Sequence, residues 1–323
     1  MKFLADKKIL VTGGAGFLGR ALIQVLGKHG VQPENIFTTS RSCCDLRQQD
    51  ACARAVAGMG VVIHLAANAG GIGWNRKHPG ALFYDNAVMG IHLMEESRKA
   101  GVKKFVQIGT VCAYPFLPPR IPFCEDDLWE GYPETTNAPY GIAKKMLMVM
   151  GRAYREEYGF NVIYLLPVNL YGPCDYFFEP EKSHVIPALI KKFVDARETK
   201  EPEVVVWGSG YYQGTPVSRE FLYVEDAAEA IAMAADRYNE SDPVNIGAGS
   251  EVPINHLVEK IRELTGYQGK VTRDLSKPDG QPRRCLDTQR AREKFGFVAR
   301  TSFEEGLRKT IEWYENARRE RLR

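Results

Sequence analysis

The sequence has little net charge, no long apolar run and no ordered set of cysteines. Its 43 lysines and arginines stand against 40 aspartates and glutamates, leaving a formal charge of +3. So small an excess points to neither a nucleic-acid groove nor an anionic membrane surface, though a local basic site for a phosphorylated ligand is compatible with it. The seven cysteines (Cys43, Cys44, Cys52, Cys112, Cys124, Cys174 and Cys285) are odd in number and scattered. They resemble neither a disulfide framework nor a zinc site, so no metal is expected, and a reducing compartment is. The opening MKFLADKKILVTGG turns to glycine after one short apolar run, too short for a signal segment or a membrane span. The expectation is a cytoplasmic protein. There is no internal repeat or low-complexity segment, and the basic ARRERLR at the end reads as a solvated helix terminus.

What is present is ordinary globular usage, 44% apolar and 26% charged over 323 residues. That length supports a full hydrophobic core, as one large α/β unit with a smaller lobe. Apolar runs at Lys8–Thr12, Ile36–Thr39, Val61–Ala66, Phe105–Gly109 and Val162–Pro167 read as strands. Between them, Gly16–His29, Gln48–Ala57, Ala81–Lys99 and Pro139–Tyr158 have helical spacing. Such a βαβ series predicts a Rossmann-like, doubly wound parallel sheet with a smaller C-terminal α/β lobe. Beyond Leu170 the pattern loosens. Helices are expected near Val185–Ala196, Val224–Tyr238, Ile254–Thr265 and Phe303–Arg318, and strands at Val204–Val206, Phe221–Tyr223 and Val244–Ile246. The expected division is a dinucleotide-binding domain over 1–170, to which 218–245 returns, and a substrate lobe over 171–217 and 246–323.

The first strand runs into Gly13-Gly14-Ala15-Gly16-Phe17-Leu18-Gly19. Gly13 permits the tight turn, Gly16 lets the backbone approach a pyrophosphate at the helix N-terminus, and Gly19 allows close helix–strand packing. After the second strand an acidic residue would bind the ribose of NAD; the chain has Thr38-Thr39-Ser40-Arg41-Ser42 instead. Arg41 can fork a 2′-phosphate, which favours NADP(H), with NAD possible. Asp45 is a candidate for the adenine end.

Tyr140-Gly141-Ile142-Ala143-Lys144 sets a phenol and an ammonium four residues apart on one helix face. The ammonium is expected to lower the phenol, so that the pair exchanges a proton with a sugar oxygen while a nicotinamide exchanges hydride. Thr110, at the end of the strand Phe105–Gly109, is placed to hydrogen-bond the same oxygen.

Together these residues resemble the extended short-chain dehydrogenases/reductases that act on nucleotide sugars, and within them the GDP-L-fucose synthase family. The likeness also runs through His64–Ala67, Gly70–Ile72, Gly109–Pro115 with Cys112, Asn137–Lys144, Asn169–Pro173, Ser183–Leu189, Val205–Gly210, Arg219–Leu222 and Ser276–Pro282 with Arg283. The resemblance implies an NADPH-dependent epimerase/reductase. It would convert a GDP-4-keto-6-deoxy-hexose, GDP-4-keto-6-deoxy-D-mannose foremost, by C3/C5 epimerisation and then C4 reduction. It assigns Cys112 as base and His184 as acid, and Thr110, Tyr140 and Lys144 as the remaining catalytic set. It carries cofactor binding onto Gly13, Gly16, Phe17, Leu18, Gly19, Arg41, Asp45, Leu46, Ala66, Ala67, Tyr140, Lys144, Pro167, Asn169 and Leu170. Substrate binding falls on Asn169, His184, Val185, Lys192, Trp207, Arg219 and Arg284, with Lys192, Arg219 and Arg284 expected to neutralise the diphosphate. A homodimer built on the helices Ala81–Lys99 and Pro139–Tyr158 is also implied. The chain departs from the pattern in four places. Ala15 stands where the fingerprint often has arginine, Thr110 replaces serine, and Arg284 replaces lysine. The connection Tyr211–Ser218 is longer than usual. From the residues alone, a redox-neutral NAD-dependent 4-epimerase and a cofactor-sensing binding protein are the competing readings.

Overall fold

The computed structural model describes residues 1–277 and 280–321. The first half alternates β1 (Ile9–Thr12), α1 (Phe17–Lys28), β2 (Ile36–Thr39), α2 (Gln49–Val56), β3 (Val61–His64), α3 (Ile72–Lys77), α4 (Pro79–Lys99), β4 (Lys104–Ile108), α5 (Ala138–Tyr158) and β5 (Val162–Pro167). Then follow β6 (Asn169–Tyr171), α6 (Val185–Thr199), β7 (Glu203–Trp207), β8 (Tyr211–Tyr212), β9 (Thr215–Pro216), β10 (Ser218–Tyr223), α7 (Val224–Arg237) and β11 (Val244–Ile246). The chain closes with β12 (Glu251–Pro253), α8 (Ile254–Thr265), β13 (Lys270–Asp274), α9 (Gln289–Phe295) and α10 (Phe303–Arg321).

The main sheet has the order β11-β5-β4-β3-β1-β2, with every pair parallel. Side chains alternate between its faces. Val11, Ile63 and Val106 enter one core with Leu22, Val25 and Leu26 of α1 and Ala227 and Ile231 of α7. Leu10, Val62 and Phe105 enter the other, with Val56 of α2, Leu93 and Met94 of α4 and Leu147 of α5. Cover on both faces explains why β1, β3, β4 and β5 are mostly apolar and fully buried, while the edge strand β2 is not. From β1 the chain moves outward to β2 and returns across to β3. The crevice for a ligand therefore opens above the C-terminal ends of β1 and β3.

The smaller lobe has its own core, where Ile186, Leu189, Ile190 and Phe193 of α6 meet Leu257 and Ile261 of α8 and Leu307, Ile311 and Tyr314 of α10. A three-stranded sheet, β12-β10-β6, joins it to the first unit. The helix α9 packs instead on the first core, through Ala291 and Phe295.

Three local expectations change. The strand expected to run to Ala66 stops at His64, because the Ala66 amide turns back to donate to the Thr12 hydroxyl (3.2 Å). The strand expected at Phe221–Tyr223 starts earlier, at Ser218, where it pairs with β12. The long connection before Arg219 is a hairpin. β8 and β9 pair antiparallel around Gln213 (φ 48°) and Gly214 (φ 80°), the two left-handed residues a two-residue turn of this type requires. Of the Ser276–Pro282 match, Pro278 and Asp279 lie outside the described residues, as do Leu322 and Arg323 of the basic end. Among the described residues no helix is long and apolar enough to cross a membrane.

Candidate active site

A continuous cleft of about 1740 Å³ runs from the glycine turn, over the ends of β1, β3 and β4, to the smaller lobe. At one end Gly13 takes φ +71°. Gly16 caps α1, whose first turn has no acidic residue and no side-chain cap. A Cβ on Gly19 would fall within 3.0 Å of the Gly13 carbonyl oxygen and at 2.6 Å from the Gly14 Cα. These close approaches and the open helix N-terminus fit a dinucleotide pyrophosphate, with Phe17 and Leu18 supplying backbone N–H groups.

Thr39, Ser40 and Arg41 line the cleft beyond β2, together with Asp45, Leu46, Ala66 and Ala67. Asp45 is met by Arg47, Nη2 to Oδ2 2.7 Å, and those hydrogen bonds hold its carboxyl down to about 2. Its charge is thus answered by an arginine two residues away, and Arg41 lines the cleft there along with Arg47.

The reacting end is built from four elements. Thr110 leaves β4 as the cap of a short 3₁₀ turn, Val111–Ala113, and its Oγ1 accepts the Cys112 amide at 3.1 Å. The same hydroxyl hydrogen-bonds Tyr140 and lowers its phenol, so the one hydroxyl proton points to Tyr140. Tyr140 lies in the first turn of α5, behind Pro139. That turn is anchored by Glu134, which accepts from the Asn137 amide (3.1 Å) and side chain (2.7 Å). Gly141 brings α5 against the Cys112 turn, since a Cβ there would lie 2.8 Å from the Cys112 carbonyl carbon. Lys144, one helical turn on, is buried, and Tyr164 Oη donates to its backbone carbonyl at 2.8 Å.

The electrostatics depart from the expectation for this pair. Burial pushes the Tyr140 phenol up, with the Cys112 charge adding to the rise; Thr110 opposes it, and Lys144 is not among the causes. Burial lowers Lys144 to about 8. Desolvation outweighs the expected help of the ammonium, and Tyr140 is a neutral phenol, suited to giving a proton.

His184 caps α6 and is half-exposed, with Nδ1 3.9 Å from Oδ1 of Asp175. Asp175 is itself buried, and its Oδ2 has no partner. Cys112, Tyr140, Asn169, His184 and Val185 all line the cleft, with Pro167 and Leu170 nearby. At the far end Lys192 donates to the Val205 carbonyl (2.7 Å) and lies over Trp207 (5.6 Å), which Lys277 also approaches (5.3 Å). Trp207 is 58% exposed, an indole with an open face on the cleft rather than packed away. Arg219 lines the cleft beside Gly280.

Arg284 is placed differently from the diphosphate role expected of it. Its guanidinium is buried and hydrogen-bonds Gln281 Oε1 (2.9 and 3.2 Å) and Asn169 Oδ1 (3.3 Å), with Nη1 3.9 Å from Cys112 Sγ. Its backbone carbonyl accepts from the Glu220 amide of β10 (2.8 Å).

The model of the "NAD dependent epimerase/dehydratase family" matches residues 9–247. A probable GDP-L-fucose synthase 1 of Oryza sativa subsp. japonica is 39% identical over 317 residues, covering 97% of this chain and 94% of its own. The chain belongs to this epimerase/dehydratase family, in its GDP-L-fucose synthase branch. Among solved members, a GDP-L-fucose synthetase from Naegleria fowleri bound to NADP superposes with a TM-score of 0.84 at 28% identity, covering 97% of this chain and 95% of its own. A GDP-6-OMe-4-keto-L-xylo-heptose reductase from C. jejuni gives 0.87 at 25%, covering 97% and 99%. Against this family frame, sequence reasoning missed Asp175, Gln281, Gly141 and Tyr164. Asp175 and Tyr164 lie outside the matched stretches, while Gly141 and Gln281 lie inside Asn137–Lys144 and Ser276–Pro282 with no role drawn from them. A glycine directly after the tyrosine was the one available signal.

Proposed function

We propose that this family member is an NADPH-dependent GDP-4-keto-6-deoxy-hexose epimerase/reductase, with GDP-4-keto-6-deoxy-D-mannose as substrate and GDP-L-fucose as product. The observation that carries the reading is the single cleft shared by the dinucleotide cradle, Thr110, Cys112, Tyr140 and His184. A ketone at C4 makes the C3 and C5 hydrogens acidic. Cys112 removes the proton, His184 returns one from the other face, and Thr110 and Tyr140 hold the charge that develops on the C4 oxygen. The cofactor, when bound, supplies hydride to C4. Tyr140, kept neutral by burial, donates its proton to that oxygen. Lys144 holds the nicotinamide ribose as a buried cation near neutral pH. Lys192, Trp207 and Arg219 receive the nucleoside diphosphate, the lysine and arginine by charge and the indole by stacking.

Arg41, and the pairing of Asp45 with Arg47, favour NADPH over NADH. We place 1–170 with 218–245 in the dinucleotide-binding part and 171–217 with 246–323 in the substrate lobe, α9 being the segment that packs back. We also propose a cytoplasmic homodimer. Its support is an apolar surface on α4 and α5, where Phe83, Tyr84, Ile91 and Val149 are exposed. Sedimentation that gives a monomer would remove it.

The test is to supply GDP-4-keto-6-deoxymannose and NADPH in deuterated water. Deuterium at C3 and C5 with NADPH oxidised supports the full reaction. Oxidation without deuterium reduces the chain to a simple 4-ketoreductase. Cys112→Ser suppresses exchange more than reduction of a pre-epimerised keto sugar; equal loss of both counts against its role as base.

A further inference from the structure

Arg284 is a buried guanidinium with amide and thiol neighbours. Gln281 and Asn169 supply neutral oxygens, and among the described residues no carboxylate lies within ion-pair distance of it. A buried cation without an anion is costly, and neutral hydrogen bonds offset only part of that cost. A group able to become an anion, Cys112, lies 3.9 Å from Nη1. The other ionisable group set against that sulfur is Tyr140 of α5, a neutral phenol, while Thr110 and Asn169 carry no charge. The guanidinium is also fixed in place. Gln281 accepts two of its N–H groups and itself donates to the Phe116 carbonyl (2.7 Å), and Asn169 is held by its own donation to the Glu220 carbonyl (2.9 Å).

We infer that Arg284 is the positioning residue that holds Cys112 as a thiolate, so that the base is charged before substrate arrives. This rests on the reading of Cys112 as the base. The thiolate takes the carbon-bound proton to become a thiol, the electron pair moves to the C4 oxygen, and the arginine stays protonated throughout. A forked guanidinium suits the role because Nε and Nη2 are anchored on Gln281 while Nη1 faces the sulfur.

The test measures thiolate directly, without substrate. The ultraviolet thiolate absorbance of the wild type at pH 7 should exceed that of Cys112→Ser. Alkylation of Cys112 by iodoacetamide, followed by peptide mass, should slow about tenfold or more in Arg284→Met, as expected when a nearby cation is removed from a thiolate. Arg284→Lys, which keeps the charge, should recover most of that rate. NADPH binding serves as the folding control. No excess absorbance in the wild type, or equal alkylation of all three proteins, overturns the inference. If alkylation slows in Arg284→Met while C3 and C5 exchange keep their rates, Arg284 does hold the thiolate and the assignment of Cys112 as base is what fails. If both fall together, and reduction of a pre-epimerised keto sugar is kept, both stand.

Discussion

Replacing Gly141 by alanine tests whether the reacting geometry depends on the contact between α5 and the Cys112 turn. A Cβ at Gly141 would lie 2.8 Å from the Cys112 carbonyl carbon, closer still to its oxygen, and 3.2 Å from the Ala113 amide nitrogen. All three are backbone atoms, so no side chain can rotate away. Ordinary contact begins at 3.4 Å, and helix and turn must therefore part by roughly an ångström. That is the scale at which misplacement costs about a hundredfold in rate. Stability responds less, since overpacking costs ~1–3 kcal/mol while alanine returns ~1 kcal/mol of helix propensity. The Thr110–Tyr140 hydrogen bond is the link that opens. The expected result is a kcat for NADPH oxidation lowered about a hundredfold, with NADPH affinity little changed and Tm within a few degrees. Gly27→Ala in α1 is the control: nothing lies within 4 Å of its Cβ, so it should gain stability and keep its rate. A Gly141→Ala protein with the wild-type kcat would refute the reasoning.

Lys144 gives a pH signature. Its folded value of about 8 lies below the ordinary 10.5. The cost of burying its charge is therefore present in full below pH 8, and is relieved as the folded chain deprotonates first between about 8 and 10.5. Relative to Lys144→Met, which cancels the other groups, the unliganded wild type should gain stability across that window in thermal melts, while NADPH binding weakens above pH 8. A difference that stays flat with pH would remove the buried ammonium from the account. Asp175→Asn should slow deuterium incorporation, because His184 Nδ1 loses the carboxylate that lies 3.9 Å from it. Reduction of a pre-epimerised sugar should be unaffected, and parallel loss of both steps would make Asp175 merely structural. Gly19→Ala forces the glycine turn and α1 apart at backbone atoms, and should weaken NADPH binding about tenfold or more in a titration. Unchanged affinity would separate the turn from the pyrophosphate.

The parallel sheet was legible because its strands are buried on both faces, and a run such as Val61-Val62-Ile63 has no other stable place. The short helices α3 and α9 were not. Ile72–Lys77 begins with glycine among its first residues, and Gln289–Phe295 is mostly charged, so neither has an apolar stripe long enough to read. The hairpin at Tyr211–Pro216 hid for a related reason: strands of two residues carry no alternation. In the site, the four-residue spacing of Tyr140 and Lys144 follows from helix geometry, but their titration does not. It is set by burial beneath elements distant in sequence, which is why a phenol expected to be lowered is raised instead. Arg284 shows the same limit. Its charge was plain, but Cys112, Asn169 and Gln281 come from three separate segments, and only the folded chain shows which anion that charge is set to meet.

A charge on the Cys112 sulfur raises the Tyr140 phenol. A thiolate at Cys112, as inferred above, would keep the proton on Tyr140. The order of events follows. While the base is charged and epimerisation proceeds, the acid needed for reduction cannot be lost to solvent. The sulfur takes one proton at each centre and must pass the first to solvent before it takes the second; with the second taken, the phenol is freer to release its own to the C4 oxygen. A guanidinium fixed 3.9 Å from the sulfur sets this balance, and its removal should blur the sequence: Arg284→Met would reduce GDP-4-keto-6-deoxymannose before both centres have inverted. The sugar released would then carry deuterium at fewer positions than the wild-type product. A product of unchanged stereochemistry from that variant would show that the two protons are not coupled.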